Sequence, residues 1–413
     1  MTTIVLIGTL DTKGREYAWL RDRLRDHGCR PVVVDAGTGE PDGIVPDVTN
    51  LAVARAAGAD LEALRAAGDR GAAVATMSEG AAAVLTELYA GGRVDGVLAV
   101  GGSGGSAIAA RAMRELPVGV PKLLVSTMAS GDVSPYVGAK DVTLMYSVVD
   151  IAGVNRVSRR ILGNAAAAVA GMAAVSSSTT PVPGGTDERP LVAASMFGVT
   201  TPAVEAARAR LEELGYEVLV FHATGAGGRA LEGLAESGML AGVLDLTTTE
   251  LADDLVGGVL SAGPDRLTAA GAHGVPQVVA PGALDMVNFG PRDTVPDRFE
   301  GRDLYVHNPT VTLMRTTTEE MAELGRRIAG KLTAARGPVA LYLPRRGVSA
   351  LDAEGAAFRR PEADAECFAE LAKGVAGSPV ELADLDLHIN DPEFGRAMAE
   401  RLDRMIKDQE GTA

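Results

Sequence analysis

The chain has 413 residues, 50 of them glycine, with a formal charge of −15, 46% hydrophobic residues and two cysteines. At roughly 100–200 residues per domain, this length and apolar content exclude intrinsic disorder and suggest two or three domains with sizeable cores. The negative balance argues against a general binder of nucleic acid or anionic membrane, and Cys29 and Cys367 support neither a disulfide framework nor a zinc site.

From the amino terminus, Thr3–Ile7 is a short apolar run with no basic flank, so it reads as a strand rather than a secretory signal. It enters the loop Gly8-Thr9-Leu10-Asp11-Thr12-Lys13-Gly14. A helix with Tyr17, Leu20 and Leu24 on one face follows, Gly28 ends it, and Val32–Val34 leads to Asp35. In open α/β sheets ligands bind outside the carboxyl ends of strands, so such loops are the first candidates for chemistry. Lys13 is one of six lysines in a chain with 33 arginines, and at a strand-to-helix turn it suits a phosphate contact. An ordinary helix cap by Asp11 or Thr12 is the alternative, and the order of residues is not that of a Walker A loop.

The strand Val97–Val100 ends in Gly101-Gly102-Ser103-Gly104-Gly105-Ser106, with a helix expected from about Ser106 to Glu115. Glycines let backbone N–H groups approach an anion, and the helix adds its positive end, so this loop reads as a phosphate or nucleotide cradle. A tight helix–strand turn is the alternative. A nicotinamide cofactor is disfavoured, because the glycine pattern is not on the first strand. After Leu123–Val125 comes Ser126-Thr127-Met128-Ala129-Ser130-Gly131-Asp132. Thr127, Ser130 and Gly131 could join the cradle, and Asp132 could hold Mg²⁺ through water. The run Ala165–Val175 is far below the ~20 residues that span a bilayer, so a soluble cytoplasmic protein is expected.

A Ser-, Pro- and Gly-rich stretch marks a linker at 181–186, dividing a domain over 1–180 from one over 187–413. The second half repeats the plan of the first: strand Leu191–Phe197, a helix with Val204, Ala207, Leu211 and Leu214, Gly215, then strand Val218–Phe221. Its strand-end loops carry His222 with Gly225, Gly227 and Gly228, then Asp245–Glu250, Pro281–Phe289 and His307–Thr317. A last helix recurs at Phe394, Met398, Leu402 and Ile406, with Asp391 placed to cap it. The fold class is therefore α/β, two Rossmann-like domains with mainly parallel sheets. Duplication explains their likeness, with chance similarity between generic α/β units as the alternative.

Taken together, Gly8–Gly14, Gly101–Ser106, Ser126–Asp132, Met196–Pro202, Phe221–Gly225, Leu244–Glu250, Gly282–Phe289 and His307–Thr317 carry a resemblance over essentially the whole chain. They resemble the family that includes the ATP-binding inhibitor domain of the tomato mosaic virus resistance protein. The resemblance implies two Rossmann-like domains, binding of ATP or another nucleotide, and a homodimer. The plant member's block on viral RNA replication is not carried over, since no feature here points to a viral partner. On the residues themselves, phosphates would be held by Thr9, Thr12, Lys13 and the Gly101–Ser106 loop, with Gly8 and Asp11 as further nucleotide-binding candidates. His222, Glu250, Asp285, His307 and Arg315 would act on a small acidic metabolite in a cleft between the domains. Two rivals remain: a non-catalytic, nucleotide-responsive interaction module, and an enzyme for a phosphorylated or carboxylated substrate that does not use ATP.

Overall fold

The computed structural model describes residues 1–176 and 189–411, so the linker expected at 181–186 lies outside the described residues. The chain forms two compact units, Met1–Thr186 and Asp187–Ala413. The first is built on five parallel strands: β1 (Thr3–Gly8), β2 (Arg30–Asp35), β3 (Gly96–Gly101), β4 (Lys122–Ser126) and β5 (Thr143–Tyr146). They lie in the order β2-β1-β3-β4-β5, with Leu6 paired to Val33 on one side and to Leu98 on the other.

Strand side chains alternate between faces, and both faces of this sheet are covered, which is why the strands read as unbroken apolar runs. Ile4 and Leu6 pack with Tyr17, Leu20 and Leu24 of the helix Leu10–Asp26 and with Leu162 and Val169 of the helix Arg156–Ser176. Val5 and Ile7 pack on the other side with Met77, Ala81 and Leu85 of the helix Arg70–Ala90 and with Ile108 and Ala112 of the helix Ser103–Met113. Tyr17 is fully buried, and its hydroxyl donates to the Ile7 carbonyl (2.6 Å) and accepts from the Val100 amide (2.8 Å), joining β1 to β3. A Cβ at Gly8 would lie 2.0 Å from that hydroxyl, so the glycine makes room for the tyrosine.

The second unit contains, in chain order, β6 (Leu191–Met196), β7 (Glu217–His222), β8 (Gly242–Thr247), β9 (Gln277–Gly282), β10 (Met286–Phe289), β11 (Leu304–Asn308), β12 (Val311–Arg315), β13 (Val339–Pro344) and β14 (Glu381–Leu385). Six form a parallel sheet in the order β14-β13-β9-β8-β6-β7. The other three make an antiparallel ribbon, β10-β12-β11. The final helix Pro392–Glu410 buries Phe394, Met398, Leu402 and Ile406 against Val204, Ala207 and Leu211 of the helix Thr201–Glu213. Asp391 precedes this helix but accepts from the His388 amide (2.7 Å) instead of capping it through its side chain.

The expected α/β class of two Rossmann-like halves is thus observed. Both sheets run second strand, first strand, third strand, fourth strand, the flavodoxin-like order whose direction reverses between the first and third strands. The ribbon corrects the sequence reading, which took Pro281–Phe289 and His307–Thr317 as strand-end loops. Its segments are four or five residues long, too short for periodicity to separate them from loop. Among the described residues no helix is long and apolar enough to cross a membrane.

Candidate functional site

In the first unit a cleft of about 530 Å³ opens at the carboxyl ends of β1, β2 and β3, where the strand order reverses. Its walls include Thr9, Asp11, Thr12 and Lys13 after β1, Ala36–Thr38 after β2, and Gly102–Gly105 after β3. Leu64, Val74, Met77 and Ile108 supply an apolar side, and Arg65, Asp69 and Arg70 supply charge.

Two helices begin at this cleft. Leu10–Asp26 starts after Thr9 with its Leu10 amide given to the Asp35 carboxylate (3.1 Å), whereas Ser103–Met113 starts after Gly102 with no side-chain cap. The first amides of an uncapped helix are left to a ligand or solvent and carry the positive end of its dipole. The two starts are close: a Cβ at Gly105 would lie 3.9 Å from the Thr9 hydroxyl. Because the first helix already begins at Leu10, Thr12 and Lys13 belong to its first turn rather than to a loop.

The three cations differ in availability. The Lys13 ammonium donates to the Ile151 carbonyl. Arg65 donates to the Thr38 carbonyl and pairs with Glu62 and Glu40. The Arg70 guanidinium makes no hydrogen bond or ion pair among the described residues, and it would lie 3.9 Å from a Cβ at Gly104. On the β2 side, Asp11 Oδ2 accepts from the amides of Thr38 (3.2 Å) and Gly39 (2.7 Å). Asp35, behind this loop, accepts from the amides of Leu10 and Gly37, and burial pushes its carboxyl up to about 6.

The remaining candidates for the nucleotide lie off the cleft wall. Gly8 and Gly101 sit inside strands, where a Cβ would strike Tyr17 or the Gly105–Ser106 backbone. Ser106 is buried and shares a hydrogen bond with the Ser126 hydroxyl (2.7 Å). Thr127 lies beside Gly102, 3.8 Å from a Cβ there, without lining the cleft. Ser130 and Gly131 are exposed. Asp132 is exposed and accepts from the Ser134 amide (2.9 Å); among the described residues no group of three His, Cys, Asp or Glu could hold a metal ion.

The candidate catalytic residues of the second unit do not form one site. Glu250 is fully buried: one oxygen accepts from the amides of Gly225 (2.7 Å) and Gly228 (3.0 Å), and the other pairs with Arg266 (2.6 Å). Arg266 also pairs with Asp245 and with Glu232 (3.0 Å). Asp285 and Arg315 belong to a second buried network. Arg315 pairs with Asp364 (2.9 Å), and Asp285 accepts from the Ser349 hydroxyl (2.7 Å). Burial raises Asp285 to about 7, against the opposing pull of Arg315. His222 is exposed and stacks on Phe197 (5.4 Å between ring centroids), and His307 is exposed on β11 beside Tyr305.

The amino- and carboxyl-terminal domain models of the uncharacterised protein family UPF0261 match residues 2–178 and 189–406. The chain belongs to the UPF0261 family. A UPF0261 protein of Clostridium tetani is 50% identical over 404 residues, covering 98% of this chain and 99% of that one. One from Rhizobium meliloti is 49% identical over 398 residues, covering 96% and 97%. The ToMV resistance protein Tm-1(GCR237) of Solanum lycopersicum is 45% identical over 332 residues, 80% of this chain but 44% of that longer protein. The family resemblance read from the motifs is therefore correct.

In this UPF0261 chain, sequence reasoning missed Gly37, Thr38, Arg65 and Arg70 as cleft residues. The first two carried a usable signal, since Gly37-Thr38-Gly39 directly follows β2. Arg65 and Arg70 come from the helical excursion between β2 and β3, and periodicity does not show where such an excursion returns to the sheet.

Proposed function

We propose that the first unit binds a nucleotide, with ATP the form expected from the family resemblance, and that its phosphates rest on the Gly102–Gly105 amides and Arg70. The observation that carries this is the open cleft at the strand-order reversal, where the uncapped start of the helix Ser103–Met113 meets the Arg70 guanidinium, unpaired among the described residues. The apolar side at Leu64, Val74, Met77 and Ile108 suits a flat base. Binding without turnover is favoured over catalysis by the state of the second unit. There the candidate acids are locked in ion networks and both histidines stand apart from them.

Calorimetric titration with ATP, with and without Mg²⁺, tests the proposal. Charged hydrogen bonds contribute about 1.5–3 kcal/mol, so Arg70→Ala is expected to weaken binding by about tenfold or more. Gly104→Glu places a carboxylate three residues beyond the end of β3, as Glu250 stands three beyond the end of β8, and is expected to abolish binding. Heat release that both variants leave intact, or none from the parent protein, would overturn the reading.

A further inference from the structure

The cleft has two chemically opposite ends. Its β3 side offers donors: the amides at Gly102–Gly105 and the Arg70 guanidinium. Its β2 side offers an acceptor. Asp11 makes no ion pair among the described residues, and its Oδ2 is clamped by the Thr38 and Gly39 amides. The other oxygen, Oδ1, is shielded from solvent and has no hydrogen-bond partner. A buried carboxylate oxygen without a donor is costly, and a native structure that leaves one beside a cleft calls for a partner that arrives with the ligand. The partner must bring a hydroxyl or amine hydrogen. A phosphate brings only negative charge, and Asp35 behind the loop and Asp69 on the wall add to the repulsion.

We propose that Asp11 reads a ribose hydroxyl of the bound nucleotide, so that the sugar lies at the β2 end and the phosphate chain runs toward Gly102–Gly105. The proposal rests on the nucleotide reading above and adds the sense of binding and the class of sugar. Glycine is required on both sides of the carboxylate. A Cβ at Gly37 would lie 2.7 Å from Asp11 Oδ1, and one at Gly39 would lie 3.0 Å from Oδ2. The backbone thus packs closely on the carboxylate and holds Oδ2 by its amides, and a side chain at either glycine would close off Oδ1 or displace Oδ2. Carboxylates are apt readers of ribose hydroxyls because they accept without competing donors.

The test is calorimetric titration of the full chain with ATP, 2′-deoxy-ATP, 3′-deoxy-ATP and inorganic tripolyphosphate, for the parent protein and for Asp11→Asn. Asparagine keeps an oxygen for the Thr38 and Gly39 amides but turns the free acceptor into a donor. In the parent protein, removing the hydroxyl that Asp11 reads should weaken binding by about tenfold. In Asp11→Asn, ATP should weaken by a similar factor, both deoxynucleotides should bind as well as ATP, and tripolyphosphate should bind no worse than to the parent. If the parent binds ATP and both deoxynucleotides equally, the sugar-reading role fails while the nucleotide site stands. If Asp11→Asn weakens tripolyphosphate as much as ATP, Asp11 acts only on loop shape and the proposal fails. If the parent binds no ATP, the nucleotide reading fails and takes this proposal with it.

Discussion

Replacing Arg266 with methionine is the sharpest test of what holds the second unit together. The guanidinium is fully buried and meets three carboxylates: Asp245 through both terminal nitrogens, Glu250 at 2.6 Å and Glu232 at 3.0 Å. The carboxylates have other donors. Glu250 takes the Gly225 and Gly228 amides, and Glu232 takes those of Leu267, Thr268 and Ala269. None of these carries a full positive charge, so the variant leaves Asp245 and Glu250 buried without a counter-ion. Breaking a buried pair in this way costs about 3–5 kcal/mol. At about 2–4 °C per kcal/mol for a unit of this size, its calorimetric transition should fall by roughly 6–20 °C. Trp19, the single tryptophan, lies in the first unit, so its fluorescence follows that unit separately. Removing the fully buried charges together, as Arg266→Met with Asp245→Asn and Glu250→Gln, while Glu232 keeps its three amide donors, should recover most of the loss, since neutral replacements of buried ion pairs are often tolerated. A single variant that loses under about 1 kcal/mol, or a triple variant no better than the single one, would refute the reasoning.

Two further outcomes are expected. Tyr17→Phe leaves the Ile7 carbonyl and the Val100 amide without their hydroxyl partner in a fully buried place, at a cost of about 2–4 kcal/mol; urea unfolding followed by Trp19 fluorescence checks this, and a loss under about 0.5 kcal/mol contradicts it. Burial raises Asp285 to about 7, above its ordinary value near 4, so its stabilising contribution is present at low pH and is lost as the pH rises through about 7. Asp35 and Asp253, raised by burial to about 6 and about 7, decline in the same window, so chemical denaturation from pH 4 to pH 8 should show a fall in stability that is smaller in Asp285→Asn than in the parent protein, and identical profiles would count against the assignment.

Much of the fold was legible because its signals are local. Thr3–Ile7 and Val97–Val100 announce buried parallel strands by being apolar without alternation, and the Phe394–Ile406 stripe announces a docked helix. The cleft was half legible. The rule that ligands sit at strand ends found Thr9–Lys13 and Gly102–Gly105, and the structure brings both stretches to one wall. What stayed hidden depends on partners distant in sequence. Gly8 looks like a phosphate-loop glycine until Tyr17 is seen to fill the space of its missing Cβ. Ser106 looks like an anion donor until Ser126 is found opposite it. Lys13 is rare in composition and suitably placed, yet its ammonium also holds the Ile151 carbonyl, 138 residues away.

The two units also show why similar glycine loops can have opposite fates. In both, a strand-end loop rich in glycine faces the start of the helix that follows the third strand. In the second unit that helix begins with Glu250, whose carboxylate takes the Gly225 and Gly228 amides and is neutralised by Arg266. The place an anion would take is filled by the chain itself, and a Cβ at Gly228 would lie 2.1 Å from Glu250 Oε2. In the first unit the residue three beyond the strand end is Gly104, which has no side chain to reach across, and the space above it is the cleft. The facing Gly37–Gly39 amides there are taken by Asp11 and Asp35, carboxylates from the β1 and β2 sides, so the donors left for a ligand are those on the β3 side. Both facing loops are thus satisfied by carboxylates, but the glutamate-for-glycine difference decides whether the space over the third strand's helix start is filled by a side chain or left as a cleft. Composition could not reveal it, because it is set by where the carboxylate sits and not by how many glycines surround it.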